Sequence, residues 1–366
     1  MATTPLTSKT FEMTERSAIT DRTIPSLDGL RAISIVLVLF GHLGGTEGFL
    51  VARHASALYI AQIGVRSFFV ISGFLITSIL LVEVEKSGRV ALGSFYLRRI
   101  CRLTPAFYVY LATVSIMNGL AHIGVPWRDI AMSGTYLINY VGDRSWWIAH
   151  AWSLGVEEQF YLTWPICLRF AGPRRVPIIA AVVIVAAPLL RTVSPPSIRA
   201  YALFTAGDAI AMGCLLACLR QQLRKSKAFV VLTRVPQLLI LCALTGCATI
   251  PAYLMFRFDR QGAIFALASS AVNLSIAMCI LLLVEQPHTV AGVVFNCPAA
   301  RLIGRASYSL YLWQQFFLNS DYRVFVTRFP VNVICACAVA VVSYRFIEKP
   351  GIRFGLRFKR VRAYEL

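Results

Sequence analysis

The stretch that decides the fold is Ile60-Ala61-Gln62-Ile63-Gly64-Val65-Arg66-Ser67-Phe68-Phe69-Val70-Ile71-Ser72-Gly73-Phe74-Leu75-Ile76-Thr77-Ser78-Ile79-Leu80-Leu81-Val82. It carries one charge, Arg66. A transmembrane helix needs about 20 mostly apolar residues, and this run supplies them. Working outward, nine similar runs follow the same rule, near residues 31–49, 103–121, 151–170, 176–192, 200–219, 235–255, 262–284, 302–319 and 330–347. Pro165 and Pro188 fall inside two of them, which membrane helices tolerate better than soluble ones. The composition agrees. Of the 366 residues 57% are hydrophobic, 14% are charged and the mean hydropathy is +0.67. A soluble domain carries roughly 25% charged residues. These figures exclude a cytosolic globular enzyme, a disordered chain and a secreted disulfide scaffold. The expected fold is all-α: a polytopic membrane bundle of about ten transmembrane helices.

Ten crossings put both termini on one side. With both termini cytoplasmic, segments 1–31, 84–102, 169–175, 220–234, 301–305 and 345–362 hold 26 of the 36 Lys and Arg residues. That bias follows the positive-inside rule. The net charge of +19 is thus mostly topology, and no nucleic-acid partner is expected. The tail from Arg353 to Arg362 is expected to lie against anionic headgroups. The organisation expected is a cytoplasmic segment 1–30, a membrane body 31–347 and a basic tail 348–366. The first 30 residues lack the basic-then-apolar order of a cleaved signal peptide, so the first span is expected to stay as an anchor.

Two stretches are not clean spans. Residues 84–100 are polar and basic, and an amphipathic helix is expected there. Residues 122–150 contain Trp127, Tyr140, Trp146 and Trp147, a composition of the membrane interface. The ten cysteines include no CxxC pair and no zinc-type spacing with histidine, so they read as small hydrophobes and no metal is expected. No Walker motif, GxGxxG or GxSxG occurs, which leaves nucleotide hydrolysis and a soluble-hydrolase elbow without support.

Charged groups inside a membrane are costly and usually mark function. Asp28-Gly29-Leu30-Arg31 leads into the first run, and His42 follows eleven residues after Arg31. Eleven residues turn about 20° beyond three full turns, so Arg31 and His42 share a helix face about 16 Å apart along the axis. That face offers an anion clamp and, further in, a general base. The alternative is a histidine bonded to a neighbouring helix. Arg98, Arg99 and Arg102 precede Pro105. They pair at i,i+3 and i,i+4 and suit a phosphorylated ligand, or serve only as a positive anchor. Arg66 is expected to snorkel to headgroups. Ser72 and Gly73 are expected to allow close helix packing. Glu157 and Glu158 are adjacent in an apolar helix, so about 100° separates them and one can readily face a central site. They fit a partner for Arg or His, or a structural ion pair. Asp208 stands alone in an apolar stretch and needs an internal partner.

Together these pieces resemble the bacterial membrane-bound acyltransferase family 3. The matching blocks are Asp28-Gly29-Leu30-Arg31 with His42, Phe68-Phe69-Val70-Ile71-Ser72-Gly73-Phe74-Leu75-Ile76-Thr77, the Arg98–Arg102 cluster with Pro105, Trp152-Ser153-Leu154-Gly155-Val156-Glu157-Glu158-Gln159-Phe160-Tyr161, Ser307-Tyr308-Ser309-Leu310-Tyr311-Leu312-Trp313, and Phe346-Ile347-Glu348-Lys349-Pro350. Two positions depart from the family pattern. Gln314 stands where a histidine usually follows the Tyr-Leu-Trp motif, and Gly207 stands where an arginine often precedes Asp208.

The resemblance implies an O-acyltransferase in the bacterial plasma membrane, in the stand-alone form without a soluble hydrolase-like extracellular domain. It implies a cytoplasmic acyl-CoA donor, with acetyl the default acyl group. The acceptor would be a hydroxyl of a sugar, a glycan or a small metabolite. On this reading Arg31, Arg98, Arg99 and Arg102 bind the donor, His42 acts as base, and Glu157 or Glu158 orients the base or the sugar. Asp28, Asp208, Ser72 and Tyr311 are substrate-binding or structural. A covalent acyl-enzyme relay is an alternative to direct transfer. A transporter of a glycan or metabolite is the rival class, since intramembrane charges serve both. A scaffold within a glycan-synthesis complex leaves the Arg31–His42 register unexplained.

Overall fold

The computed structural model describes residues 25–50, 55–195, 197, 201–235, 237–257 and 263–358. Among them the regular structure is helical throughout. The α-helices are α1 (Pro25–Leu43), α2 (Ala55–Ser87), α3 (Leu92–Ala121), α4 (Trp127–Gly134), α5 (Trp146–Ala149), α6 (Ala151–Ala171), α7 (Val176–Val193), α8 (Leu203–Lys225), α9 (Lys227–Leu232), α10 (Gln237–Arg257), α11 (Ala263–Glu285), α12 (Val290–Phe295), α13 (Pro298–Phe317), α14 (Val331–Ser343) and α15 (Lys349–Leu356).

Among the described residues seven helical runs are long and apolar enough to cross a membrane: α1, α2, α3, α7, α8, α11 and the run Val331–Leu356. The helices α6, α10 and α13 stand where the other three spans were expected but do not join the seven. In α6 and α13 the reason is visible. The first contains Glu157, Glu158 and Arg169, and the second Arg301, Arg305, Gln314 and Gln315. The outer surface is that of a membrane protein. Along α7, Ile178, Val182, Val185, Leu189 and Val193 are all more than half exposed. Their spacing of three and four makes an apolar stripe facing outward, while Ala180, Ala187 and Arg191 are buried behind it. A surface of this kind is solvated by lipid tails, not water. The protein is a multi-pass membrane protein.

Small residues set the central packing. A Cβ on Gly64 would meet the Ser34 carbonyl at 2.5 Å, and one on Gly41 would meet the Ala57 carbonyl at 2.4 Å. These contacts lock α1 and α2 antiparallel. Gly73 lies 2.0 Å, by the same construction, from the Ile210 carbonyl, and Gly213 2.0 Å from that of Val70. So α2 and α8 cross backbone to backbone, and the packing role expected for Gly73 is its actual one. Gly304 brings α13 against the Asp28 carbonyl. Further along, Gln314 reaches His42, so α13 runs parallel to α1.

Two expectations change. The stretch 84–100 forms no separate amphipathic helix: α2 continues to Ser87, and α3 begins at Leu92 after a short turn. Ser87 Oγ donates to the Glu83 and Arg89 carbonyls, and the Glu83 carboxylate accepts from the Ala91 N–H. This polar sequence caps one helix and starts the next. Arg66 does not reach for headgroups. It turns inward and donates to Asn273 Oδ1 at 3.2 Å, because α11 offers a buried amide at that level. Beyond α14 the described chain stays helical. A π-turn over Tyr344–Glu348 leads into α15, where Pro350 cannot donate to the i−4 carbonyl. There Gly351 packs on the Cys101 carbonyl.

The expectations for residues 1–24 and 359–366 lie outside the described residues. Of the described cysteines, Cys101, Cys214 and Cys279 are buried as expected, whereas Cys337 is exposed.

Candidate active site

The α3 sequence places Arg98, Arg99 and Arg102 in its second and third turns. Arg31 comes from the start of α1 and Arg305 from the start of α13. The five guanidinium groups line one mouth of about 300 Å³, together with Asp28 and Tyr344. Asp28 ties two of them, with Arg31 at 3.8 Å and Arg305 at 3.4 Å. Five cations and one carboxylate therefore line the same opening. Nε of Arg99 and Nε of Arg102 are buried without a hydrogen-bond partner. A buried unpaired donor is costly, and a cluster of guanidinium groups has the chemistry to take anionic oxygens.

Arg31, Arg99 and Arg102 also line a smaller chamber of about 70 Å³, which runs on between α1, α2, α3, α6 and α13. Its polar wall holds two bonded sets. Ser72 Oγ donates to Glu157 Oε1 at 2.7 Å and accepts from Tyr161 Oη at 3.0 Å. The Arg99 guanidinium lies over the Tyr161 ring at 3.8 Å, a cation–π contact. Ser153 Oγ and Tyr311 Oη are hydrogen-bonded at 2.7 Å, and each lies within reach of the His150 carbonyl, which accepts. Phe68 and Phe69 supply the apolar wall. Thus Ser72, expected to be substrate-binding or structural, bonds the Glu157 carboxylate, while its neighbour Gly73 does the packing.

His42 is in the last turn of α1 and is not among the chamber's lining residues. Its Nδ1 is 2.9 Å from Gln314 Oε1, and its ring meets Trp146 edge-on at 5.4 Å. Tyr311 lines the chamber, and Gln314 is three residues further along the same face of α13, about 4.5 Å along the axis. The imidazole therefore stands roughly one helical turn beyond the chamber, with the arginine mouth at the other end of α1. Just beside it, His150 is 3% exposed. Its ring packs against Tyr110 and Tyr311. Burial first, and then nearby His42, hold its pKa down to about 3.

Most of the predicted residues are brought together. Arg31, Arg99, Arg102, Ser72, Glu157 and Tyr311 share the chamber, and Asp28 and Arg98 line the mouth. Two are not. Glu158 is absent from the chamber wall, as the 100° step from Glu157 requires. Asp208 is elsewhere: it pairs with Arg191 at 2.7 Å and accepts from Ser270 Oγ at 2.6 Å. The missing arginine before Asp208 does not leave it without a partner, because α7 supplies one across the hairpin. Asp208 is a structural tie between α7, α8 and α11. Arg305, Ser153, His150, Gln314, Gln315 and Glu348 went unassigned in the sequence. Glu348 is 1% exposed and accepts from Ser309 Oγ at 2.8 Å. A signal existed for Arg305, whose charge interrupts an apolar run, and for Glu348 in its closing motif. Gln314 stood out only as a departure from the family pattern, and Gln315 is neutral with nothing in its spacing to distinguish it.

A family model described as an acyltransferase domain matches residues 24–344. Among curated proteins, the peptidoglycan O-acetyltransferase OatA of Listeria monocytogenes is 29% identical over 89% of this chain and 55% of its own length. The O-acetyltransferase OatA of Staphylococcus aureus is 26% identical over 96% of this chain and 60% of its own. The chain thus spans a little over half the length of these relatives. No solved structure matches.

Proposed function

Since the chain belongs to the family of the acyltransferase domain, we propose that it is a membrane-embedded O-acyltransferase. It moves an acyl group, acetyl by preference, from acyl-CoA to a hydroxyl of a glycan. The names of the relatives favour a cell-wall glycan such as peptidoglycan. The observation that carries this reading is the arginine mouth narrowing into the chamber, with His42 about one turn beyond. The donor set suits acyl-CoA: guanidinium forks match phosphate oxygens, and the unpaired Nε groups of Arg99 and Arg102 await acceptors.

Arg31, Arg98, Arg99 and Arg102, joined by Arg305, hold the phosphates. The pantetheine arm then lies in the narrow chamber past Ser72 and Glu157, and the thioester comes within range of His42. His42 takes the proton of the acceptor hydroxyl as the oxygen attacks the thioester carbonyl. The new C–O bond forms, the C–S bond breaks, and the coenzyme leaves as its thiol, taking from His42 the proton that the hydroxyl gave up. The ten-span count and the cytoplasmic placement of both termini belong to this proposal, since the mouth must face the donor pool. The body 31–347 flanked by segments 1–30 and 348–366 belongs to it too, as does residence in the bacterial plasma membrane.

The test is mass spectrometry of ester-linked acyl groups on surface glycans. Wild-type cells are compared with a deletion strain and with the deletion carrying His42→Ala. Loss of one acyl ester in both mutants supports donor, acceptor and base together. Rescue by His42→Ala removes His42 as the base.

A further inference from the structure

The hydrogen-bond polarity around His42 is fixed from outside the imidazole. Trp146 presents its backbone carbonyl, which can only accept. It is 2.7 Å from the side-chain amide of Gln315, so that atom is the NH2 of Gln315. The other end of the same amide, Oε1, is then an acceptor. It is 2.9 Å from the amide of Gln314, which must turn its own NH2 that way. The Gln314 carbonyl, Oε1, is thereby aimed at His42 Nδ1, 2.9 Å away. An acceptor facing Nδ1 requires a proton on Nδ1. Amide orientation and histidine tautomer are settled by the bonding network, and here each assignment follows from the one before it. Trp146 closes the circuit by donating Nε1–H to the Gln315 carbonyl at 3.0 Å. Gln314 and Gln315 are 0% and 1% exposed, so bulk water does not reach the chain.

From this geometry we infer that Gln314 is a positioning residue. Through Gln315 and the Trp146 carbonyl it holds neutral His42 as the Nδ1–H tautomer, with the lone pair on Nε2. A base needs that lone pair on the nitrogen that meets the acceptor. The partner of a catalytic histidine is often a carboxylate that accepts from the ring N–H. Here a neutral amide does the same orienting and adds no negative charge to the apolar end of α1. The chain also couples α13 to α5, so the segment 146–149 reports to the base through a backbone carbonyl. The catalytic part of this inference rests on His42 being the base; the tautomer does not.

The experiment is 15N NMR of histidine-labelled full-length protein in lipid bilayers at neutral pH, with His42 assigned by difference from the His42→Ala sample. The expected result is a protonated Nδ1 and an unprotonated Nε2. A protonated Nε2 in neutral His42 overturns the proposal. A second arm compares Gln314→Met, which keeps length but loses the acceptor, with Gln314→Glu, which keeps an acceptor oxygen. Gln314→Met should lower kcat for acyl transfer at least tenfold, a small part of the roughly 10²–10⁴ that a general base supplies. KM for acyl-CoA should be unchanged, and Gln314→Glu should recover part of the loss. An unchanged kcat and unchanged tautomer in Gln314→Met also overturn the proposal, provided the variant elutes as the wild type does. Acyl transfer that survives His42→Ala would overturn the base and hence the positioning role, while an Nδ1–H signal would still stand as the tautomer set by the chain.

Discussion

At the scale of single residues, the buried ion pair Arg191–Asp208 separates stability from chemistry. Both side chains are almost wholly inaccessible, at 3% and 0%, and neither lines the chamber or the mouth. Removing one partner leaves an uncompensated charge, which costs about 3–5 kcal/mol. Replacing both by apolar residues removes the charge altogether and costs much less. Arg191→Met should therefore lower the thermal midpoint in detergent sharply, and the double variant Arg191→Met/Asp208→Leu should regain most of it. A double variant no more stable than the single one would show that the pair is needed as a pair.

His150 gives a pH counterpart. Its pKa falls from 6.5 to about 3 in the fold, so the folded state resists its proton while the unfolded state takes one up. The neutral form's stability is present above pH 6.5 and is lost as pH falls toward 3. One pKa unit corresponds to about 1.4 kcal/mol. His150→Phe fits the cage of Tyr110 and Tyr311 and removes the titration. It should keep the neutral-pH midpoint and flatten its decline in acid; an unaltered acid decline would show that His150 is not the group responsible.

At the scale of elements, the spans were legible because a membrane helix satisfies its backbone within itself. An apolar run of sufficient length is a local property. The 31–49 run shows the limit: the helix is Pro25–Leu43, since polar Ser26 and Asp28 are taken up by neighbouring helices through Leu283, Asn296 and Arg305. The Arg31–His42 register was legible for the same local reason. Their partners were not. Ser72 meets Glu157 across 85 positions and His42 meets Gln314 across 272, and helix periodicity says nothing about which helices become neighbours. The Arg191–Asp208 pair was within reach, because two successive antiparallel spans bring their facing ends together.

Interhelical contact also yields a prediction. A Cβ on Gly304 would fall 1.9 Å from the Asp28 carbonyl, whereas one on Gly119 meets nothing within 4 Å. Gly304→Val must push α13 off α1. That shifts Arg305 from Asp28 and Gln314 from His42 at once. Overpacking typically costs about 1–3 kcal/mol, and here the whole α1–α13 contact must adjust, so acyl transfer should fall with stability. Gly119→Ala should match or exceed the wild type, since alanine is favoured over glycine in a helix by about 1 kcal/mol. Equal thermal midpoints for the two variants would contradict the close approach of α1 and α13.

At the scale of the whole molecule, orientation joins charge to chemistry. Placing both termini in the cytoplasm puts 26 of 36 basic residues on that side, as the positive-inside rule requires. The arginine mouth lies at the starts of α1, α3 and α13, so the same placement turns it toward the cytoplasm. His42 and the tryptophan-rich 122–150 segment then lie toward the outer face. The donor would enter from one side and the acceptor from the other, with the narrow chamber between them. The placement is checked by an impermeant maleimide on intact cells, using Asp143→Cys from that segment and Lys86→Cys from the end of α2. Both positions are exposed, and labelling of the wild type sets the background from native thiols such as Cys337. Asp143→Cys should label in intact cells, and Lys86→Cys only once the membrane is opened. The reverse pattern would turn the mouth outward, away from any pool of acyl-CoA, and the proposed chemistry would lose its donor. Labelling of both in intact cells would mean that the chain between them does not cross the bilayer an odd number of times, as α3 on its own requires.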